Sequence, residues 1–83
     1  MLKIFSIYDN KAKSYHQPLF QQSAVQAQRI FSTEINRAAA DNLLYHHPQD
    51  FDLYELGEFD DQSGSLTHGQ PVLISLGAAT KKE

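Results

Sequence analysis

The chain has no cysteine and no tryptophan among its 83 residues, and only seven lysines and arginines. Without cysteine, disulfides and thiolate metal sites are excluded. The apolar runs are short, such as Leu43–Tyr45 and Val72–Ile74. None approaches the length that a membrane-spanning helix requires, so no membrane partner is expected. The opening MLKIFSIYDNK has too short an apolar stretch and no small-residue cleavage site to read as a secretory signal. The four glycines (Gly57, Gly64, Gly69 and Gly77) are scattered, which rules out a glycine-rich phosphate loop. No Cys–His or Ser–His–Asp arrangement has suggestive spacing, and a chain this small with one helix rarely builds a deep cleft. The expectation is no catalytic residue, no cofactor and no enzyme activity.

What is present is ordinary globular material: 41% hydrophobic and 20% charged residues. The length predicts one α+β domain over residues 1–77, followed by a flexible tail over 78–83. A single small core leaves a thin stability margin, and no disulfide or metal is available to widen it. A homodimer or higher homo-oligomer is therefore expected.

Leu2–Tyr8 alternates with apolar groups on both sides, as in a strand covered on both faces. Asp9-Asn10-Lys11 is a turn signal, followed by a second strand over Ala12–His16, after which Pro18 interrupts the ladder. Ser23–Ala40 reads as the one amphipathic helix, with Ser23 and Gln26 as a capping box and Ala24, Ala27, Phe31, Ile35 and Ala38 on one face. Asn42 would cap its C-terminus. Three strands should follow, at Leu53–Phe59, Ser65–His68 and Val72–Leu76, with a hairpin turn at Asp60–Gly64. The resulting fold is a small antiparallel sheet of four to five strands with one helix packed on it, in the order β-β-α-β-β-β. The alternative is an OB-like barrel, which usually places its helix after the third strand.

Possible metal groupings are weak. Adjacent His46 and His47 would point to opposite faces in a strand, and Asp60, Asp61 and Ser63 lack the frame and terminal Glu of a calcium loop. No metal site is expected.

Charge is more informative. The net charge is −3 with histidines neutral, and six of the ten acidic residues lie between Asp50 and Asp61. Outside that segment, seven basic residues face only Asp9, Glu34, Asp41 and Glu83. Aromatics interleave with the basic groups, and single-strand binders pair a positive groove with aromatic faces for base stacking. The candidate DNA-binding residues are Lys3, Tyr8, Lys11, Lys13, Tyr15, Arg29 and Arg37. Tyr8 and Tyr15 flank the Lys11–Lys13 turn, and Arg29 and Arg37 share a helix face. The competing reading is that the tyrosines pack on a half-buried sheet and the arginines form a solvated helix face.

Three segments carry a family resemblance. HPQDFDLYELGEFDDQSG, residues 47–64, resembles the Pro-x-Asp-Phe-x-Leu-Tyr-x-x-Gly-x-Phe-Asp signature of the small non-structural protein of gokushoviruses, single-stranded DNA microviruses of bacteria. KIFSIYDNKAKSY (3–15) and RIFSTEINRAA (29–39) are similar to that family's opening and helix. The resemblance implies single-stranded DNA binding in the host bacterial cytoplasm, favouring single-strand over duplex synthesis, and no structural place in the virion. It assigns no catalytic residues. An alternative is an adaptor whose acidic stretch, Asp50–Asp61, docks a viral or host replication protein.

Overall fold

The computed structural model describes residues 1–82. Its elements are β1 (Leu2–Asp9), β2 (Ser14–Tyr15), β3 (Leu19–Gln21), α1 (Ala24–Ile35), α2 (Leu43–His46), a 3-10 turn (Pro48–Asp50), β4 (Phe51–Asp60), β5 (Ser65–Leu76) and α3 (Gly77–Thr80). The five strands form one antiparallel sheet in the order β2-β1-β4-β5, with β3 pairing the same edge of β1 as β2. The sheet is open, not a barrel.

The α+β class, five-stranded sheet and packed helix agree with the sequence reading, but the strands are distributed differently. Three strands precede the helix, because Pro18 ends β2 without preventing Leu19–Gln21 from rejoining β1. Counting strands before the helix would therefore have pointed to a barrel, and it fails as a criterion here. The two expected last strands are one, β5. Its middle, Gly69–Pro71, bulges where Leu56 alone stands opposite, between the pairs Glu55–Val72 and Gly57–His68. A bulge tolerates the missing proline donor.

The helix is shorter than its periodicity suggests. Ser23 Oγ accepts from Gln26 N (3.4 Å), while Gln26 Oε1 reaches back to Gln22 N (3.0 Å) and not to the cap residue itself. The helix stops at Ile35 because Asn36 turns its own amide onto Ser32 O (2.9 Å). Asn42 does act at this end: its Nδ2 donates to Glu34 O and Arg37 O (both 2.8 Å), and its Oδ1 accepts from Leu44 N to start α2 (3.2 Å).

Alternation decides what is buried. Phe5 and Ile7 of β1, Phe51 and Leu53 of β4 and Leu19 of β3 point to one face, where Ala27, Phe31 and Ile35 of α1 meet them. Phe5, Leu53 and Ile35 are fully buried there. The helices and the core all lie on this side, and no element covers the opposite face among the described residues.

Residues 78–80 of the expected flexible tail join Gly77 in the single helical turn α3. Gly77 is buried, and an added Cβ there would run into the carbonyls of Pro48 and Phe51. Asn36 ties the turn down, donating to Thr80 O (3.2 Å) and accepting from Lys82 N (2.6 Å). Glu83, the last residue of the expected tail, lies outside the described residues.

Candidate nucleic-acid interface

Tyr8 and Tyr15 stand directly opposite each other across β1 and β2, so both project from the uncovered face. Their ring centroids are 4.7 Å apart. Tyr54 comes to the same face from β4, opposite Ser6, with its ring 6.1 Å from Tyr8 and 5.9 Å from Tyr15, edge-on to both. Three rings thus form one cluster. Tyr15 is the most open at 41% exposed, and the other two are half-buried. Burial pushes the Tyr15 phenol above its ordinary value of 10.0, and the neighbouring Tyr54 and Tyr8 phenols push in the same direction. Beneath the cluster, buried Ser6 donates to His16 O (2.6 Å) and fixes the chain leaving β2.

The β1–β2 turn closes the same end of the sheet. Lys13 N donates to Asp9 O (2.8 Å), and Asp9 Oδ1 accepts from Lys11 N (2.9 Å) and Ala12 N (3.1 Å). These amides, Ala12 first, hold the Asp9 carboxyl below its ordinary range. Asn10 anchors the turn to β4 through Asp50 O and Asp52 Oδ2, both 3.1 Å. Lys13 has φ 60°, a left-handed conformation that disfavours a long side chain and suits Gly or Asn. Lys11 and Lys13 are exposed and form no ion pair among the described residues.

The other predicted residues are not brought to this surface. Lys3 points to the helix side of the sheet by alternation and pairs with Glu55 (3.5 Å). Arg29 is exposed on α1, which packs on that same side. Arg37 does not share the α1 face with Arg29, because the helix ends at Ile35. It pairs with Glu34, Nη2 to Oε1 at 2.6 Å, and this hydrogen bond lowers the Glu34 pKa and raises that of Arg37. Lys81 lies 4.3 Å over the ring of Tyr45, the one tyrosine outside the cluster. A single surface gathering all the predicted cations is therefore not formed. Lys11 and Lys13 instead share one end of the strands with Asp9, Asp50 and Asp52. The Lys11–Lys13 turn closes one end of the sheet and the Asp60–Gly64 turn closes the other.

Sequence reasoning missed Tyr54. Only the β1–β4 register sets it beside Tyr8. His46 Nε2 contacts Ala39 O (2.9 Å), and Asp52 is engaged by Asn10 (3.1 Å) and by Gly77 N (3.1 Å).

An open sheet with one helical layer and an aromatic face describes a small α+β protein, and comparison with known proteins places it among the bacteriophages. A family model described as "Phage ORF5 protein" matches residues 2–80. The chain belongs to this phage ORF5 family. It is similar to Protein ORF5 of Chlamydia phage 1, with 36% identity over 62 residues, covering 72% of this chain and 65% of that relative, slightly under two thirds of its length. No solved structure matches.

Proposed function

We propose that this phage ORF5 family protein is a non-enzymatic single-stranded DNA-binding protein that acts on viral genome replication in the host cytoplasm, favouring single-strand over duplex synthesis. The observation that carries the reading is the three-tyrosine cluster on an uncovered sheet face, next to a turn whose two lysines form no ion pair among the described residues. Tyrosine rings offer stacking faces worth about 1–3 kcal/mol per base, independent of base identity. Lys11 and Lys13 supply the phosphate contacts. Duplex bases are already stacked on one another, so the same surface discriminates against duplex DNA. Lys13 in a left-handed conformation adds support, since strained residues concentrate at functional sites.

Affinity should depend only shallowly on salt. With about two phosphates neutralised per protomer, the slope of log K against log salt is about −1.4 for a single strand. The test is an anisotropy titration of a labelled oligothymidylate against a duplex at two salt concentrations. The expected result is single-strand preference, with affinity lost in the Lys11→Glu, Lys13→Glu double variant. Tyr54→Ala should weaken binding by about 1–3 kcal/mol. Absence of binding at low salt overturns the proposal.

The adaptor alternative draws less support from the geometry. Asp52, Glu55, Asp60 and Asp61 engage partners within the chain, including Lys3 for Glu55 and the N-terminal amine for Asp61. Recovery of a replication protein in a pull-down after nuclease treatment would favour it.

A further inference from the structure

The tyrosine cluster occupies only one end of the uncovered face. Register extends that face to Leu2 and Ile4 of β1, Phe20 of β3, Phe59 of β4 and Leu66, Leu73 and Leu76 of β5. Phe20 and Phe59 form a second aromatic pair, 5.7 Å apart, at the end away from the tyrosines. Of the ten large hydrophobic residues that are strongly exposed, five lie here: Tyr15, Phe20, Leu66, Leu73 and Leu76. A sheet apolar on both faces calls for a second layer, and the described residues supply only one.

We infer that a second copy of this chain covers that face, sheet on sheet, and that self-association and single-stranded DNA compete for it. The inference rests on the reading above for its DNA arm only. Two observations identify the occupant as a copy.

The first is area. Four strands abreast and about eight residues along give a plane of about 500 Å² before side-chain relief is counted. With that relief it approaches the roughly 800 Å² per partner of a standard interface.

The second is charge. Asp52 is the one carboxylate that alternation places on this face among the described residues, and Asn10 and Gly77 N already engage it. Two anionic chains can therefore meet here without opposing bare carboxylates. The ends are also complementary. A two-fold axis lying between the sheets and running across the strands sets the Lys11–Lys13 turn of each copy beside the Asp60–Asp61 turn of the other. The same operation lays the tyrosine cluster over the phenylalanine and leucine end. At that end the N-terminal amine is paired with Asp61 and Lys3 with Glu55, and a basic partner would find no free acid on the face among the described residues. The helices lie on the outside of such a pair.

Because Tyr8, Tyr15 and Tyr54 sit inside the proposed contact, a bound strand and a second protomer exclude each other. DNA binding is then weakened by the fraction of protein held as dimer.

The experiment is sedimentation velocity of the full chain across a concentration series, with and without an oligothymidylate of about eight nucleotides, within the usual site size. The expected result is a dimer that dissociates as the oligonucleotide is added. Leu66→Gln changes a residue that is 63% exposed and remote from the tyrosines, so folding should be unaffected. It should weaken the dimer by roughly tenfold or more, because the two-fold removes two buried leucines, and it should raise apparent DNA affinity. Lys13→Glu should weaken the dimer by about fivefold, and adding Asp61→Lys should restore the dimer but not DNA binding. A monomer at every concentration overturns the inference and leaves the DNA reading standing. A dimer that keeps its mass with DNA bound overturns the competition. A dimer that forms and responds to Leu66→Gln but never binds DNA supports the contact and overturns the DNA reading.

Discussion

The two faces of one sheet are built from the same strands and meet different fates. On the helix side, Phe5, Phe51 and Leu53 close against Ala27, Phe31 and Ile35. On the other side, residues that alternate with them (Tyr8, Tyr54 and Phe59) stand without a layer above. Composition accounts for the difference only at the tyrosine end, since the other end of the open face carries Phe20, Phe59 and Leu66. The covered face contains phenylalanine and aliphatic groups, which need burial, while one end of the open face contains tyrosines, which tolerate water at their hydroxyls. Covered apolar groups provide folding energy, and uncovered ones provide a surface.

The contrast is tested most strongly by truncating one ring on each side. Phe31→Ala should cost about 3–5 kcal/mol in urea denaturation, because a fully packed ring leaves a cavity. Tyr15→Ala, at a site already 41% exposed, should cost much less. Equal losses would mean that the open face is core as well.

Gly57 tests how the open hairpin is held. A Cβ there would collide with Thr67 O and crowd His68 Cα, both backbone. Gly57→Ala should therefore destabilise by about 1–3 kcal/mol, with β5 rather than α1 losing hydrogen-exchange protection first.

Lys13 sharpens the division between stability and surface. Lys13→Gly relieves the left-handed backbone and should stabilise by up to about 1 kcal/mol after the entropy of glycine is counted. The same change should weaken DNA binding. A loss of stability would show that the lysine side chain is structural.

The smallest effects are those of pH, and they have opposite signs at the two extremes. The folded-state pKa of Tyr15 is raised, so its contribution is complete below the ordinary tyrosine value and is lost as pH rises through the raised one. Tyr54→Phe removes one of the causes and should lower the Tyr15 titration midpoint followed by phenolate absorbance. The Asp9, Glu34 and Asp60 carboxyls are depressed, so their contributions hold above the ordinary carboxylate values and are lost as pH falls through the lowered ones. Acid melts should show that loss without involving the tyrosines.

The sequence made some of this legible and concealed the rest for physical reasons. The Leu2–Tyr8 strand, the Ser23 cap and the Asp9–Lys11 turn are local, and each appears in the fold. The strand expected to be covered on both faces is, however, covered on one among the described residues, because alternation shows apolar groups without showing what packs on them. The third short strand was hidden because Pro18 marks an interruption without saying whether the chain returns to the same edge. The fused β5 was hidden because Gly69 and Pro71 suit a break and a bulge equally well. At the candidate site, Tyr8 and Tyr15 could be paired because a short turn joins them, whereas Tyr54 arrives from 39 positions beyond Tyr15. Only tertiary register brings it in. The grouping of Lys3, Arg29 and Arg37 with the tyrosines failed for the same reason, since charge counts along a chain do not say which side of a sheet a residue faces.

The most direct measurement uses the protein's own emission. The chain has four tyrosines and no tryptophan, and three of those tyrosines form the cluster. Titrating a short oligothymidylate at low salt should quench most of the tyrosine fluorescence as bases stack on the rings, with duplex DNA having little effect and added salt restoring only part of the signal. Emission that stays constant through saturating single-stranded DNA would contradict the assignment of this face.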